Sequence, residues 1–465
     1  MIIFAIFGLL LICFLGWLYT SLIKPKASLF EKVSLSYLLG IGMFTFILFI
    51  LNILGLKYTT FNTVIIYICL IVFALFVNKK LHFIKFKNLK LIVRSLIKKY
   101  KSLSKIDRIS ITLLGVILMW VVIYSCYWPV KDWDSIVLYD FRARMFLING
   151  FMDTSIPESY LYGYPLLTSL AHMLIYMTGF QYPGIVHSLF FVSFVIIFFA
   201  LVKSKMSLSL AIFWTLIFSL SSNLIDHAYM TYTNLAYVVY LVSGLFYMFE
   251  WVNGRNKSDL ILASLLVGLS TWTRSAEPFW MIPIAMVVLV SIKEKKWLQI
   301  IWFSIIVKSF SKIWELYVKR EMSIVAKSVT TVTKSSSAVP FNISEALNIQ
   351  RLFEVGNYYF VNSILPSWPQ YLNLFFVSVI LFINYKHHKK INSIHLIILM
   401  FIIICLGVSI GGVFIFSLTF SEWKSIGGSL TRMMLFLGPL TLYISALVVS
   451  ETFESNEKIW KKYFK

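Results

Sequence analysis

The chain of 465 residues is 59% hydrophobic and only 13% charged, about half the charged share of a soluble domain, which excludes one large globular core. Its formal charge of +22 does not point to nucleic acid, because the basic residues sit in short loops between apolar runs, where they mark the cytoplasmic side of a membrane protein. Cys13, Cys69, Cys126 and Cys405 fall in different apolar runs, which gives neither a metal-ligand spacing nor a disulfide framework.

The expected fold is an all-α polytopic membrane protein with about 13 transmembrane helices and further helices at the outer interface. The first apolar run, Ile2 to Thr20, has no basic n-region and no small-residue cleavage site, so it reads as a retained span. Lys24, Lys26 and Lys32 follow it and put the N-terminus outside. Spans over residues 34–54 and 61–77 lead to a strongly basic loop, in which Lys79, Lys80, Lys85, Lys87, Lys90, Arg94 and their successors to Arg108 face the single acid Asp107. That imbalance fixes the loop inside; its interleaved Leu, Ile and Phe suit either an amphipathic helix on anionic lipid or a solvated loop.

A fourth span over 109–127 exits outside and delivers the stretch from Trp128 to Pro165. Residues 166–178 are apolar but short and read as a helix lying at the outer interface. Spans over 184–202, 208–224 and 231–249 follow, then one ending near Trp272 and one descending to Lys293, with basic loops on the inner side throughout. A tenth over 297–313, interrupted by Lys308 and Lys312, opens a second outer segment whose Ser/Thr-rich residues 328–337 read as a mobile loop. Three more spans reach a basic tail. The chain thus divides into 1–108, a three-span bundle with its basic loop; 109–313, a transmembrane region carrying the acidic loop 130–165; 314–369, an outer loop; and 370–465, the C-terminal helices.

The carboxylates of this acid-poor chain gather in the first outer loop, at Asp132, Asp134, Asp140, Asp153 and Glu158, beside Arg142 and Arg144. Asp226, His227, Arg274, Glu277 and Arg432 fall on the same outer side. Acids and arginines from distant stretches suggest one polar pocket, in which a carboxylate acts as general base and guanidiniums hold a phosphate. Each has a plainer reading: Arg142 and Arg144 as anchors of an interfacial helix, Asp226 and His227 as a solvated tip, Arg274 with Glu277 as a local ion pair, and Arg432 after Gly427-Gly428 as a chain-end anchor. Asp132 and Asp134, flanked by Trp128, Pro129 and Trp133 just beyond a span, are the strongest candidates. His172 and His187 have no partner at ligand spacing, and no metal is assigned to them.

Trp133-Asp134-Ser135, Arg142-Ala143-Arg144, Asn149-Gly150 and Tyr164-Pro165-Leu166-Leu167, then Gly268 to Arg274 and Ser429 to Arg432, follow one another in a recognisable order. The order resembles the C-type (GT-C) integral-membrane glycosyltransferases, nearest in pattern to the bacterial protein O-mannosyltransferase and aminoarabinose-transferase relatives. The resemblance covers Trp128 to the C-terminus and leaves the first three spans outside it. It implies an enzyme that inverts at the sugar while moving it from a polyprenyl-phosphate donor to an extracytoplasmic acceptor of unspecified class. Asp134 would be the general base, with Asp132 assisting. Arg274 and Arg432, with Arg142, Arg144 and Tyr164, would bind the donor. Some members of the superfamily use a divalent cation (Mg or Mn), which Asp132 and Asp134 would hold.

The Lys-, Ile-, Asn- and Phe-rich composition is of the kind an AT-rich bacterial genome gives, so the expected home is a bacterial cytoplasmic membrane. A polymerase of lipid-linked oligosaccharides is the second reading and would rely on arginines and the 314–369 segment more than on Asp134. A lipid-linked sugar flippase is the third; it calls for mid-span charges and an inverted repeat, whereas most charges here lie at span ends.

Overall fold

The hydrophobic runs fold as helices throughout: in this computed structural model, which describes residues 1–80, 94–95, 97–98, 100–151, 163–274, 278–328, 348–388, 393–419 and 423–463, there is no strand among the described residues. In order, the helices are α1 (Ile2–Ile23), α2 (Leu29–Ile53), α3 (Thr60–Lys80), α4 (Lys105–Tyr127), α5 (Phe141–Asn149), α6 (Leu167–Met177), α7 (Gly184–Lys203), α8 (Leu208–Ser219) and α9 (Ser222–Tyr229). They continue as α10 (Thr233–Gly254), α11 (Lys257–Thr273), α12 (Met281–Lys293), α13 (Trp297–Ser328), α14 (Ile349–Tyr359), α15 (Trp368–His388), α16 (Ser393–Thr419), α17 (Gly427–Met433) and α18 (Leu437–Tyr463).

Among the described residues 8 helical stretches are long and apolar enough to cross a membrane, up to 10 if two bent pairs count as one span each. This is the architecture of a multi-pass membrane protein, with fewer clear crossings than the thirteen apolar runs of the sequence. The bent pairs are α8 with α9, at 58°, and α14 with α15, at 94°. Helix α11 has 17 residues, and α12 with its preceding turn, Pro278–Lys293, is likewise short. Helix α13 runs on to Ser328, so the start of the expected 314–369 loop is helical. Residues 329–337 of its Ser/Thr-rich stretch, most of the basic loop, Asp153, Glu158 and Glu277 lie outside the described residues.

The chain forms two compact units, one of Met1–Ala276 with Ile301–Met322 and one of Glu277–Ile300 with Ser323–Lys465. The first three helices are not a bundle of their own but part of the first unit, where α2 packs along α7 and α1 along α2. The α1–α2 crossing is close because glycines face it: a Cβ at Gly16 would collide with the Ser36 carbonyl oxygen, and one at Gly40 with that of Ile12. Small residues serve this purpose in membranes, where backbone approach replaces the hydrophobic drive.

Polar staples mark the two ends of the first unit. At one end Lys24 Nζ lies 2.7 Å from Glu31 Oε1 and 2.8 Å from Asp259 Oδ1, and Tyr247 donates to Glu31 at 3.2 Å. Glu31 also closes a capping box with Ser28 at the start of α2. Lys205 pairs with Glu250 at 2.7 Å and Ser209 donates to Asp107 at 2.9 Å. These are the ends that the basic loops assign to one side. At the other end the last turn of α2 and the α2–α3 linker meet the end of α5: Tyr58 N and Asn52 Nδ2 donate to the Gly150 carbonyl at 2.8 and 3.1 Å.

In the second unit α15 packs on α18, with Ser445 Oγ donating to Asn373 Oδ1 at 2.9 Å. Tyr359 and Ser409 share a hydrogen bond of 2.7 Å between α14 and α16.

Candidate functional site

Helix α5 is entered through a π-helical turn, Ser135–Asp140. A π turn inserts an extra residue into a helix and is frequent at functional sites. Here it buries Leu138, Tyr139 and Asp140 in succession, which an ideal α-helix on a flat interface would not do. The helix ends as the Asn149-Gly150 pair suggests: Gly150 takes φ +74° as its C-terminal cap. Asp132 and Asp134 stand at the N-terminal entrance of the turn, both half-buried, with Trp133 between them exposed.

Arg142 is fully buried. Its Nε donates to Ser169 Oγ at 3.1 Å and its Nη1 to the Tyr164 carbonyl at 2.8 Å. Its guanidinium lies 5.7 Å from the Tyr139 ring centre, and Tyr139 shares a hydrogen bond of 3.2 Å with Thr233 at the start of α10. From the end of α11, Arg274 lays its guanidinium 4.8 Å over the Tyr164 ring and reaches the Tyr164 hydroxyl at 3.5 Å. Burial pushes the Tyr139 hydroxyl above the usual tyrosine range, and the charges of Arg274 and Arg142 pull the other way. Two guanidiniums thus share one aromatic cradle built by four separate elements. Such an arrangement suits an anion, and stacking on tyrosine holds Arg274 in a fixed plane.

Next to it lies a second cluster around Asp140. Arg144 Nε donates to Asp140 Oδ2 at 2.8 Å, Tyr176 donates to Oδ1, and the Arg144 guanidinium stacks 4.6 Å from the Tyr176 ring. His172, one turn before Tyr176 on α6, holds Nδ1 3.9 Å from Asp140 Oδ1. Its Nε2 lies 3.0 Å from Nε2 of His187 on α7. The two histidines that have no partner by sequence spacing are therefore partners of each other. Burial, with Arg144 nearby, lowers His172 to about 3, so it is neutral at ordinary pH.

Of the other expected site residues, none takes part in the contacts just described. Asp226 is exposed on α9, and His227 beside it is buried with Nδ1 donating to the Asn223 carbonyl at 2.8 Å. Arg432 is half-buried on α17 of the second unit, and Glu277 lies outside the described residues. Among the described residues no three His, Cys, Asp or Glu side chains come together as a metal-holding group. A cation held by Asp132 and Asp134 would need substrate phosphates to complete its shell.

Sequence reasoning passed over Tyr139, Ser169, Tyr176 and Thr233. A signal was there: Ser169, His172 and Tyr176 recur at spacings of three and four along an otherwise apolar helix, one polar stripe on one face. No protein-family model matches the chain, and neither a curated protein nor a solved structure matches it.

Proposed function

We propose that the chain is a glycosyltransferase of the bacterial cytoplasmic membrane, moving a sugar from a polyprenyl-phosphate donor to an acceptor on the extracytoplasmic face. The observation that carries the reading is the meeting of Arg142, Tyr164 and Arg274. Tyr164 and Arg274 are 110 residues apart and come from separate sequence boxes of the resemblance, yet they touch. In this reading Asp134 takes the proton of the acceptor hydroxyl as its oxygen attacks the anomeric carbon. The bond from that carbon to the phosphate oxygen breaks, and the lipid phosphate leaves with the electron pair. Arg274, with Arg144 as a further candidate, meets the charge that builds on the departing phosphate. Arg142 acts through Tyr164, as a positioning residue.

The test is transfer from labelled polyprenyl-phosphate sugars in membranes carrying the wild type or Asp134→Asn. The variant keeps the size of the side chain but removes the base. Transfer should fall about 10²–10⁴-fold, the usual worth of a general base, with the protein level unchanged. Full activity in the variant removes Asp134 from this role and favours the arginine-based polymerase.

A further inference from the structure

The first three helices, which the resemblance leaves outside its pattern, enclose a cavity of about 320 Å³ against α6. Ala5, Gly8 and Ile12 of α1, Val64 and Ile68 of α3, and Ile175 of α6 are among its walls. Its shape follows from where the helices are pinned. Tyr67 donates to the Leu11 carbonyl at 2.5 Å and Asn78 to that of Leu18 at 3.3 Å, and the glycine crossing holds α1 to α2 at Gly16 and Gly40. The Asn78 and Gly16 pins lie toward the basic-loop end, while Leu11, Ile12 and Tyr67 are themselves part of the cavity wall. The space beyond the Asn78 and Gly16 pins, toward the start of α1 and of α3, is the cavity.

We infer that this cavity binds one acyl chain of an anionic glycerophospholipid. The walls are hydrocarbon, and at about 30 Å³ for a group the size of water the space takes roughly ten methylenes. It is continuous with a lipid-facing surface: Val64 and Ile68 of the wall are exposed, as are Phe61, Ile65, Val72, Phe73 and Phe76 on the same helix. The sign of the headgroup follows from the cations at that end. Lys57 is exposed three residues before the wall residue Thr60. Arg144, with 52% of its side chain exposed, stacks on Tyr176, which stands between the wall residues Ile175 and Met177. Arg144 is partly neutralised by Asp140, so Lys57 carries most of the preference. Helix α6 then has two tasks, one face lining the lipid chain and the other holding Asp140. The inference goes beyond the transferase reading and does not rest on it.

The experiment is native mass spectrometry of the full chain in mild detergent, titrated with phosphatidylglycerol or phosphatidylcholine. Expected is a single retained lipid, with phosphatidylglycerol bound at least tenfold more tightly. Gly8→Phe and Val64→Trp, which fill the space from opposite walls, should each abolish the adduct. Gly8→Ala should keep it, since its Cβ meets only Thr178 Cγ2 at 3.6 Å. Lys57→Glu should leave a lipid bound but bring the two headgroups to parity. An adduct unchanged in both filled variants overturns the inference, as does equal binding of the two lipids by the wild type. Displacement of phosphatidylglycerol by an equimolar polyprenyl phosphate also overturns it, and assigns the cavity to the donor lipid instead. Sugar transfer is not the readout, so failure here and failure of the transferase reading are told apart.

Discussion

Replacing Arg142 by methionine separates two roles that the sequence alone does not distinguish. If Arg142 held the lipid phosphate, its loss would weaken donor binding and leave the fold alone. The structure has it fully buried, donating to Ser169 at 3.1 Å and to the Tyr164 carbonyl at 2.8 Å. Hydrogen bonds from a charged donor contribute about 1.5–3 kcal/mol each, and both acceptors would be stranded in the interior. Methionine fills much of the volume, so packing offsets part of the loss, and the net cost is about 3–5 kcal/mol. At about 2–4 °C per kcal/mol, the melting midpoint followed by detergent-solubilised fluorescence chromatography should drop by roughly 10 °C. Arg142→Lys, which keeps the charge but loses the fork, should recover only part of it. A midpoint unchanged within about 2 °C, together with a tenfold rise in KM for the donor, would refute the positioning role.

Lys24→Met strands Glu31 and Asp259 at the opposite end of the unit and should cost about 3–5 kcal/mol in the same melting assay. The triple variant Lys24→Met, Glu31→Gln, Asp259→Asn should recover most of that, because no buried charge is then left alone. His172 binds its proton at about 3 in the folded chain, against about 6.5 when unfolded. The unfolded state therefore binds more protons below neutrality, and the stability present above about pH 6.5 is lost progressively toward pH 3. His172→Gln should flatten that decline by one proton's worth, read as the slope of midpoint against pH. Gly150→Ala forces a side chain into φ +74° with Lys57 Cβ only 3.2 Å away, and should cost about 1–2 kcal/mol.

The first four helices, α7 and the short α6 were legible as apolar runs, and their ends fall within a few residues of the runs. In the first unit, several of the helix ends that loop charge groups together also share polar staples, at Lys24 with Asp259, Lys205 with Glu250 and Asp107 with Ser209. What hydropathy cannot show is a bend: α8 and α9 pass together as one apolar stretch, yet a new helix starts after Ser221 and the chain turns by 58°. The Asn149-Gly150 turn was readable because only a residue tolerant of positive φ ends a helix that way. Arg142 and Arg144 were legible as a pair but not as opposites, since one residue of helix separates burial from exposure only once the partner α6 is in place. The pairing of His172 with His187 depends on the turn at Gly179, which folds α6 back on α7, and no spacing rule carries that.

The π turn at Ser135–Asp140 stores the aim of the acidic loop in a count of residues. Each residue of an α-helix advances it by about 100°, so a further residue added to this turn and continued in helix would swing Asp132 and Asp134 around the axis by that angle relative to α5. Every side chain named in the chemistry would still be present, and α5 itself, anchored by Arg142 and capped by Gly150, would stay seated. An insertion within those six residues therefore acts as a rotary adjustment, a kind of change that substitutions at the carboxylates themselves cannot imitate.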